Sequence, residues 1–193
     1  MALRNGPDSW GWMARLLHWS MAVLIVFMMA LGTYTDNAEL PLARKFELVQ
    51  LHKSVGATVL ALALLRLAWR WVNPTPEQPA GTPGWQLRAG RVSHVALYAL
   101  MIAVPLSGWL MASASPLNDA GLGEARVPNM VWGLFEMPDP FPTGSEALTD
   151  TFLAVHVTLV TLLFVVMLVH VGAALKHHFR DRDAVLRRMV RGR

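Results

Sequence analysis

FLAVHVTLVTLLFVVMLVHVGAALK, from Phe152 to Lys176, is the stretch that decides the fold. It is an apolar run of membrane length with two histidines, His156 and His170, fourteen residues apart. At about 1.5 Å of rise and 100° of turn per residue, the two stand roughly 21 Å apart along a helix and within roughly 40° of one face. That geometry suits two cofactors stacked through a membrane. A lone histidine in an apolar helix is more often a packed core residue, so the pair gains meaning only if partner histidines lie at matching depths.

The composition agrees with a membrane setting. Of 193 residues, 54% are hydrophobic and 16% charged, which is too little charge for an ordinary soluble domain and predicts one compact integral membrane domain over 1–193. There is no cysteine. Disulfides, thiolate-ligated iron–sulfur clusters, cysteine–zinc sites and covalent c-type haem attachment are therefore excluded. A haem here would be held noncovalently, by histidine or methionine.

Four apolar spans are expected, at about 13–34, 47–71, 92–114 and 151–178, each with the roughly 20 residues that cross about 30 Å of hydrocarbon. Lipid offers backbone groups no partner, so all four are predicted to be α-helices, giving an all-α four-helix bundle. A signal peptide is disfavoured at the N-terminus because the first apolar segment runs on to about Thr33 without a small-residue cleavage site.

Orientation follows from the basic residues. Arg4, Arg15, Arg66, Arg70, Arg88, Arg91, Lys176, Arg180, Arg182, Arg187, Arg188, Arg191 and Arg193 fall on one side, against Arg44, Lys45, Lys53 and Arg126 on the other. Both termini are thus expected in the cytoplasm, with a periplasmic connection over 115–150 and a basic cytoplasmic tail over 179–193. The tail reads as an anchor to anionic lipid, and Trp10, Trp12, Trp19, Trp69, Trp71 and Trp85 read as an aromatic belt. The net charge of +4 follows this topology and gives no reason to expect nucleic acid. Met21, Met28, Met29, Met101, Met111 and Met167 read as packing.

Ionisable residues inside a span are candidates for function. Counted by depth, His52 matches His156 towards the outside and His18 matches His170 towards the inside. A planar porphyrin with six-coordinate iron takes two axial imidazoles from opposite sides, which facing helices supply. Gly56, and Gly172 with Ala173 and Ala174, offer small surfaces beside these histidines. His94, near the start of the third span, competes for the inner position or stands near a quinone or a propionate. Arg66 and Arg70 would neutralise propionates or snorkel to headgroups. His177 or His178 would exchange the proton that accompanies quinone reduction. Pro105 and Gly108 suggest a kink in the third helix. The connection after it, with five prolines among apolar residues, reads as a structured cap over the outer haem. Lys53, Arg44 and Lys45 make a small positive area able to attract an anion.

At this point the chain resembles the prokaryotic cytochrome b561 family, small four-helix cytochromes b that carry two noncovalent haem b groups. The resemblance rests on RLLHW at Arg15–Trp19, HKSVG at His52–Gly56, LRLAWRWVNPTP at Leu65–Pro76, HVALY and PLSG between His94 and Gly108, and HVGAALKHHF at His170–Phe179. These occur in family order and cover nearly the whole chain except the outer connection. The resemblance implies haem iron ligation by His18, His52, His156 and His170, a ubiquinone near His177, and a place in the bacterial inner membrane. Some members resemble superoxide oxidases that pass electrons from periplasmic superoxide through both haems to ubiquinone. The expectation is a superoxide:ubiquinone oxidoreductase-like electron carrier, with a small periplasmic donor or partner redox protein. Its rivals are a haem b anchor subunit that docks a dehydrogenase, and a haem-free metal or proton transporter using the same histidines.

Overall fold

The computed structural model describes residues 2–79 and 81–192. Arg193, counted above with the basic tail, lies outside the described residues. Four helices are long and apolar enough to cross a membrane: α1 (Trp12–Asn37), α2 (Leu42–Trp71), α3 (Gly84–Ala114) and α4 (Glu146–Lys176). One π-helical turn, His177–Asp181, extends α4, and a short helix α5 follows at Val185–Arg191.

The helix boundaries follow local chemistry. Pro41 precedes α2 and Pro83 precedes α3, and their carbonyls accept the first helical amides, Lys45 N at 3.0 Å and Gln86 N at 2.9 Å. Ser145 caps α4, its hydroxyl accepting from Leu148 N, with Glu146 in the first turn and Lys176 in the last, both favoured by the helix dipole. Two threonines of α4 are satisfied within their own helix. Thr158 and Thr161 donate to the carbonyls of Ala154 and Val157 at 2.8 and 2.9 Å, as lipid requires of any buried polar group.

The helices outrun the expected spans, and two boundaries differ from the sequence reading. The first connection shrinks to 38–41, and α4 begins at Glu146, inside the stretch read as periplasmic connection. The tail bonds back to α1 and to the connection before α3. Arg15 and Trp19 of α1 donate to the carbonyls of Val190 and Met189 at 2.5 and 3.1 Å, and Arg188 donates to Glu77 O at 2.7 Å.

The described residues form two compact units, and each of the four long helices contributes to both. The first unit comprises 1–22, 62–100 and 162–193 and contains His18, Arg66, Arg70, His94, His170 and His177. The second comprises 23–61 and 101–161 and contains His52, His156 and the 115–145 connection.

That connection holds two 3₁₀ turns, Pro116–Asn118 and Ala120–Ala125, and a two-stranded antiparallel hairpin of β1 (Met130–Val131) and β2 (Phe135–Glu136). Asp139 ties its base together, bonded to Ser113 and Asn118 with Arg126 at 3.5 Å. The hairpin packs on α2. Trp132, held at φ +53, donates its backbone N–H to Ser54 Oγ and its indole N–H to Thr58 Oγ1, at 2.9 and 3.0 Å. Ser54 and Thr58 lie about 160° and 120° round α2 from His52, so the hairpin lies against the face of α2 turned away from that histidine.

Candidate functional site

In the second unit, α2 presents His52 and α4 presents His156, with ring centres 6.5 Å apart. In the first, α1 presents His18 and α4 presents His170, 6.3 Å apart. A nitrogen–metal bond of about 2 Å, plus roughly 1.2 Å from that nitrogen to the ring centre, separates two imidazoles trans on one metal by about 6.4 Å. Both pairs have the spacing that one iron bound on opposite faces would need.

The second-unit pair is also prepared in its hydrogen bonding. His156 Nδ1 lies 3.0 Å from Val104 O and 3.0 Å from Ser107 Oγ. The Ser107 hydroxyl spends its own proton on Val104 O at 2.8 Å, so its oxygen accepts from the ring. The proton therefore sits on Nδ1 and leaves the Nε2 lone pair free, the arrangement a metal-ligating histidine takes. Two glycines make room for the rings. A Cβ at Gly108 would stand 3.0 Å from His156 Cε1, and one at Gly32 would stand 3.3 Å from His52 Cε1. Helices α1 and α3 thus crowd the imidazoles with bare backbone. Of the small surfaces read beside the histidines, a Cβ at Gly56 would meet Met28 at 3.6 Å, and one at Gly172 would have nothing within 4 Å.

In the first unit three histidines gather. His94 lies 5.5 Å from His170, centre to centre, which is closer than two rings trans on one iron stand. Arg66 donates to His18 Nδ1 at 2.8 Å and lies with Arg70 over the Tyr98 ring, 5.6 and 5.7 Å from its centre. A guanidinium only donates, so this contact puts the His18 proton on Nε2. Ligation through Nε2 therefore requires Arg66 to turn away, and a nearby carboxylate would give it a better partner. Arg66 and Arg70 line one cleft with Trp69, Asn73 and Tyr98, and His94 and His177 do not line it. His177 instead faces Asp183, Nδ1 to Oδ2 2.5 Å, while His178 is exposed and packs edge-on against Phe179. Of the positive area expected beside His52, Lys53 bonds Asn129 Oδ1 at 2.9 Å and Arg44 pairs with Glu47 at 2.7 Å.

The sequence model described as prokaryotic cytochrome b561 matches residues 9–192. The chain belongs to the prokaryotic cytochrome b561 family. It is 31% identical over 192 residues to cytochrome b561 homolog 2 of Escherichia coli (strain K12), covering 98% of this chain and 95% of that protein. Cytochrome b562 of Cereibacter sphaeroides is 28% identical over 181 residues, 92% of each chain. The probable superoxide oxidase CybB of Yersinia pestis is 26% identical over 174 residues, 90% of this chain and 91% of its own. As a member of this family the protein is a multi-pass inner-membrane cytochrome of bacteria that uses b-type haem in electron transfer. The donor set agrees, since a chain without cysteine offers its histidines as nitrogen ligands for a noncovalent haem.

Proposed function

We propose that this cytochrome holds two b haems, one between His52 and His156 and one between His18 and His170, and moves single electrons from a periplasmic donor to ubiquinone at the cytoplasmic side. The observation that carries the reading is the pair of ring separations, 6.5 and 6.3 Å, one in each compact unit. A haem held by two imidazoles would supply one-electron ferric–ferrous chemistry, which is that of an electron carrier.

The chain's own residues do the rest. Helix α4 supplies one imidazole to each pair from a single face. Val104 O and Ser107 hold His156 in the ligating tautomer, and Gly32 and Gly108 allow the close approach. Arg66 and Arg70 would pair with propionates at the inner position, freeing His18 Nδ1. The basic-residue count supports cytoplasmic termini, and with them a donor site at the His52 end and a quinone site at the His177 end. The name of the Yersinia relative supports superoxide as the donor.

The test is a reduced-minus-oxidised spectrum with haem extracted and counted per chain. Two b haems are expected, and none from a haem-sufficient host would leave the metal or proton transporter standing. Superoxide oxidation by the purified chain with ubiquinone present is expected for the carrier, whereas a subunit that only docks a dehydrogenase would show none.

A further inference from the structure

The π-helical turn after α4 brings Asp183 back onto His177. Asp183 Oδ2 lies 2.5 Å from Nδ1, Asp183 Oδ1 accepts from Val185 N at 2.9 Å, and Asp183 N donates to His177 O at 3.2 Å. Both side chains are less than one-fifth exposed, at 18% and 16%. Asp181 also approaches the same nitrogen, at 3.5 Å, but Lys176 engages it at 2.5 Å and Arg180 lies nearby. Asp183 is thus the carboxylate with the direct hold.

The same carboxylate starts α5, whose far end is fixed to α1 through Arg15 and Trp19, and Trp19 packs edge-on against His18 at 5.1 Å. Helix α5 is therefore a strap tied at one end to the His177 imidazole and at the other to the neighbour of His18. His177 itself follows His170 by seven residues, about 10 Å along the helix on the same face.

We propose that Asp183 is a positioning residue for proton transfer by His177 at the cytoplasmic quinone site, an inference that rests on the ubiquinone reading above. A carboxylate only accepts, so Asp183 keeps a proton on Nδ1 and leaves Nε2 as the exchanging nitrogen. Ubiquinone becomes ubiquinol by taking two electrons and two protons. The electrons are those carried from the periplasmic donor. For one proton, the Nε2–H bond of the doubly protonated ring breaks, an O–H bond forms on a head-group oxygen, and cytoplasmic water reprotonates the ring. The second oxygen takes its proton from water. In ubiquinol oxidation the same nitrogen accepts.

The experiment uses the full-length, haem-loaded protein and short-chain ubiquinol, following haem reduction by rapid mixing. Asp183→Asn is expected to lower the limiting rate about tenfold with KM and the haem spectrum unchanged, and Asp183→Glu to recover most of it. Added imidazole is expected to restore part of the rate lost in His177→Ala. ¹⁵N NMR of histidine-labelled protein is expected to show His177 protonated on Nδ1 in the wild type and displaced towards Nε2 in D183N. A wild type that already carries the Nε2–H form overturns the inference without any variant. A D183N protein with unchanged rate and tautomer overturns it while the quinone reading stands. A wild type that exchanges no electrons with ubiquinol removes the quinone reading and the proton step with it.

Discussion

The Nδ1–H of His156 donates to the carbonyl oxygen of Val104 across 3.0 Å, one residue before Pro105 in α3. Ser107 Oγ shares that proton at the same distance. An acceptor pulling on Nδ1–H makes the ring a stronger donor at Nε2, which favours ferric iron. Ser107→Ala should therefore raise one haem midpoint by a few tens of millivolts, the equivalent of roughly 1 kcal/mol for one hydrogen bond, and leave the other in place. Redox titration resolved by wavelength checks it.

Glycine contacts predict a graded pair of variants. In Gly108→Ala the new methyl meets His156 at 3.0 Å and must push the ring by a few tenths of an ångström, so outer haem occupancy should fall towards one haem per chain. Gly32→Ala meets His52 at 3.3 Å and should retain haem with a shifted spectrum. Pyridine haemochrome counting separates the two, and equal haem in both variants would contradict the proposed outer ligands.

His18 and His94 compete for the place opposite His170, and their ring separations of 6.3 and 5.5 Å favour His18. His94→Gln should keep two haems per chain while His18→Gln keeps one. The reverse result would exchange their roles.

Asp119 anchors the outer connection outside the spans. The backbone amides of Gly144 and Gly121, each 2.7 Å from its oxygens, hold its carboxyl below the usual carboxylate range. A lowered folded value means that the stabilisation is complete above about pH 4 and is lost as pH falls through that lowered value. Hydrogen exchange at the Gly121 and Gly144 amides should accelerate, relative to the intrinsic rate, on acidification through this window. Asp119→Asn should show weaker protection at neutral pH and no such step.

The four spans and the approach of the histidines were legible because lipid imposes helix length and helix geometry turns fourteen residues into nearly four turns. Depth counting then set His52 opposite His156 and His18 opposite His170. What escaped was whatever depends on a neighbouring helix. Gly56 and Gly172 sit near histidines in sequence, yet the bare backbone against the rings comes from Gly32 and Gly108 on other helices. Pro105 and Gly108 did draw attention to that part of α3, but no pattern in the chain announces that the Val104 carbonyl accepts from a ring on α4. The outer connection was read as a structured cap because its apolar residues show that it packs, but they do not show that its hairpin packs on Ser54 and Thr58 of α2. Asp183 drew no attention in the sequence, and only the π-helical turn after α4 folds it onto His177.

The buried residue of α4, Leu163, stands midway between His156 and His170, and His177 continues the same seven-residue interval. Seven residues fall about 20° short of two full turns, so each step drifts only slightly round the helix. This makes α4 a ruler with coarse graduations. One residue inserted between His156 and His170 would swing one imidazole about 100° away from its partner and leave the other where it was. This segment can change only by steps of about one full heptad, each of which would carry the two proposed haem sites roughly 10 Å closer or further apart.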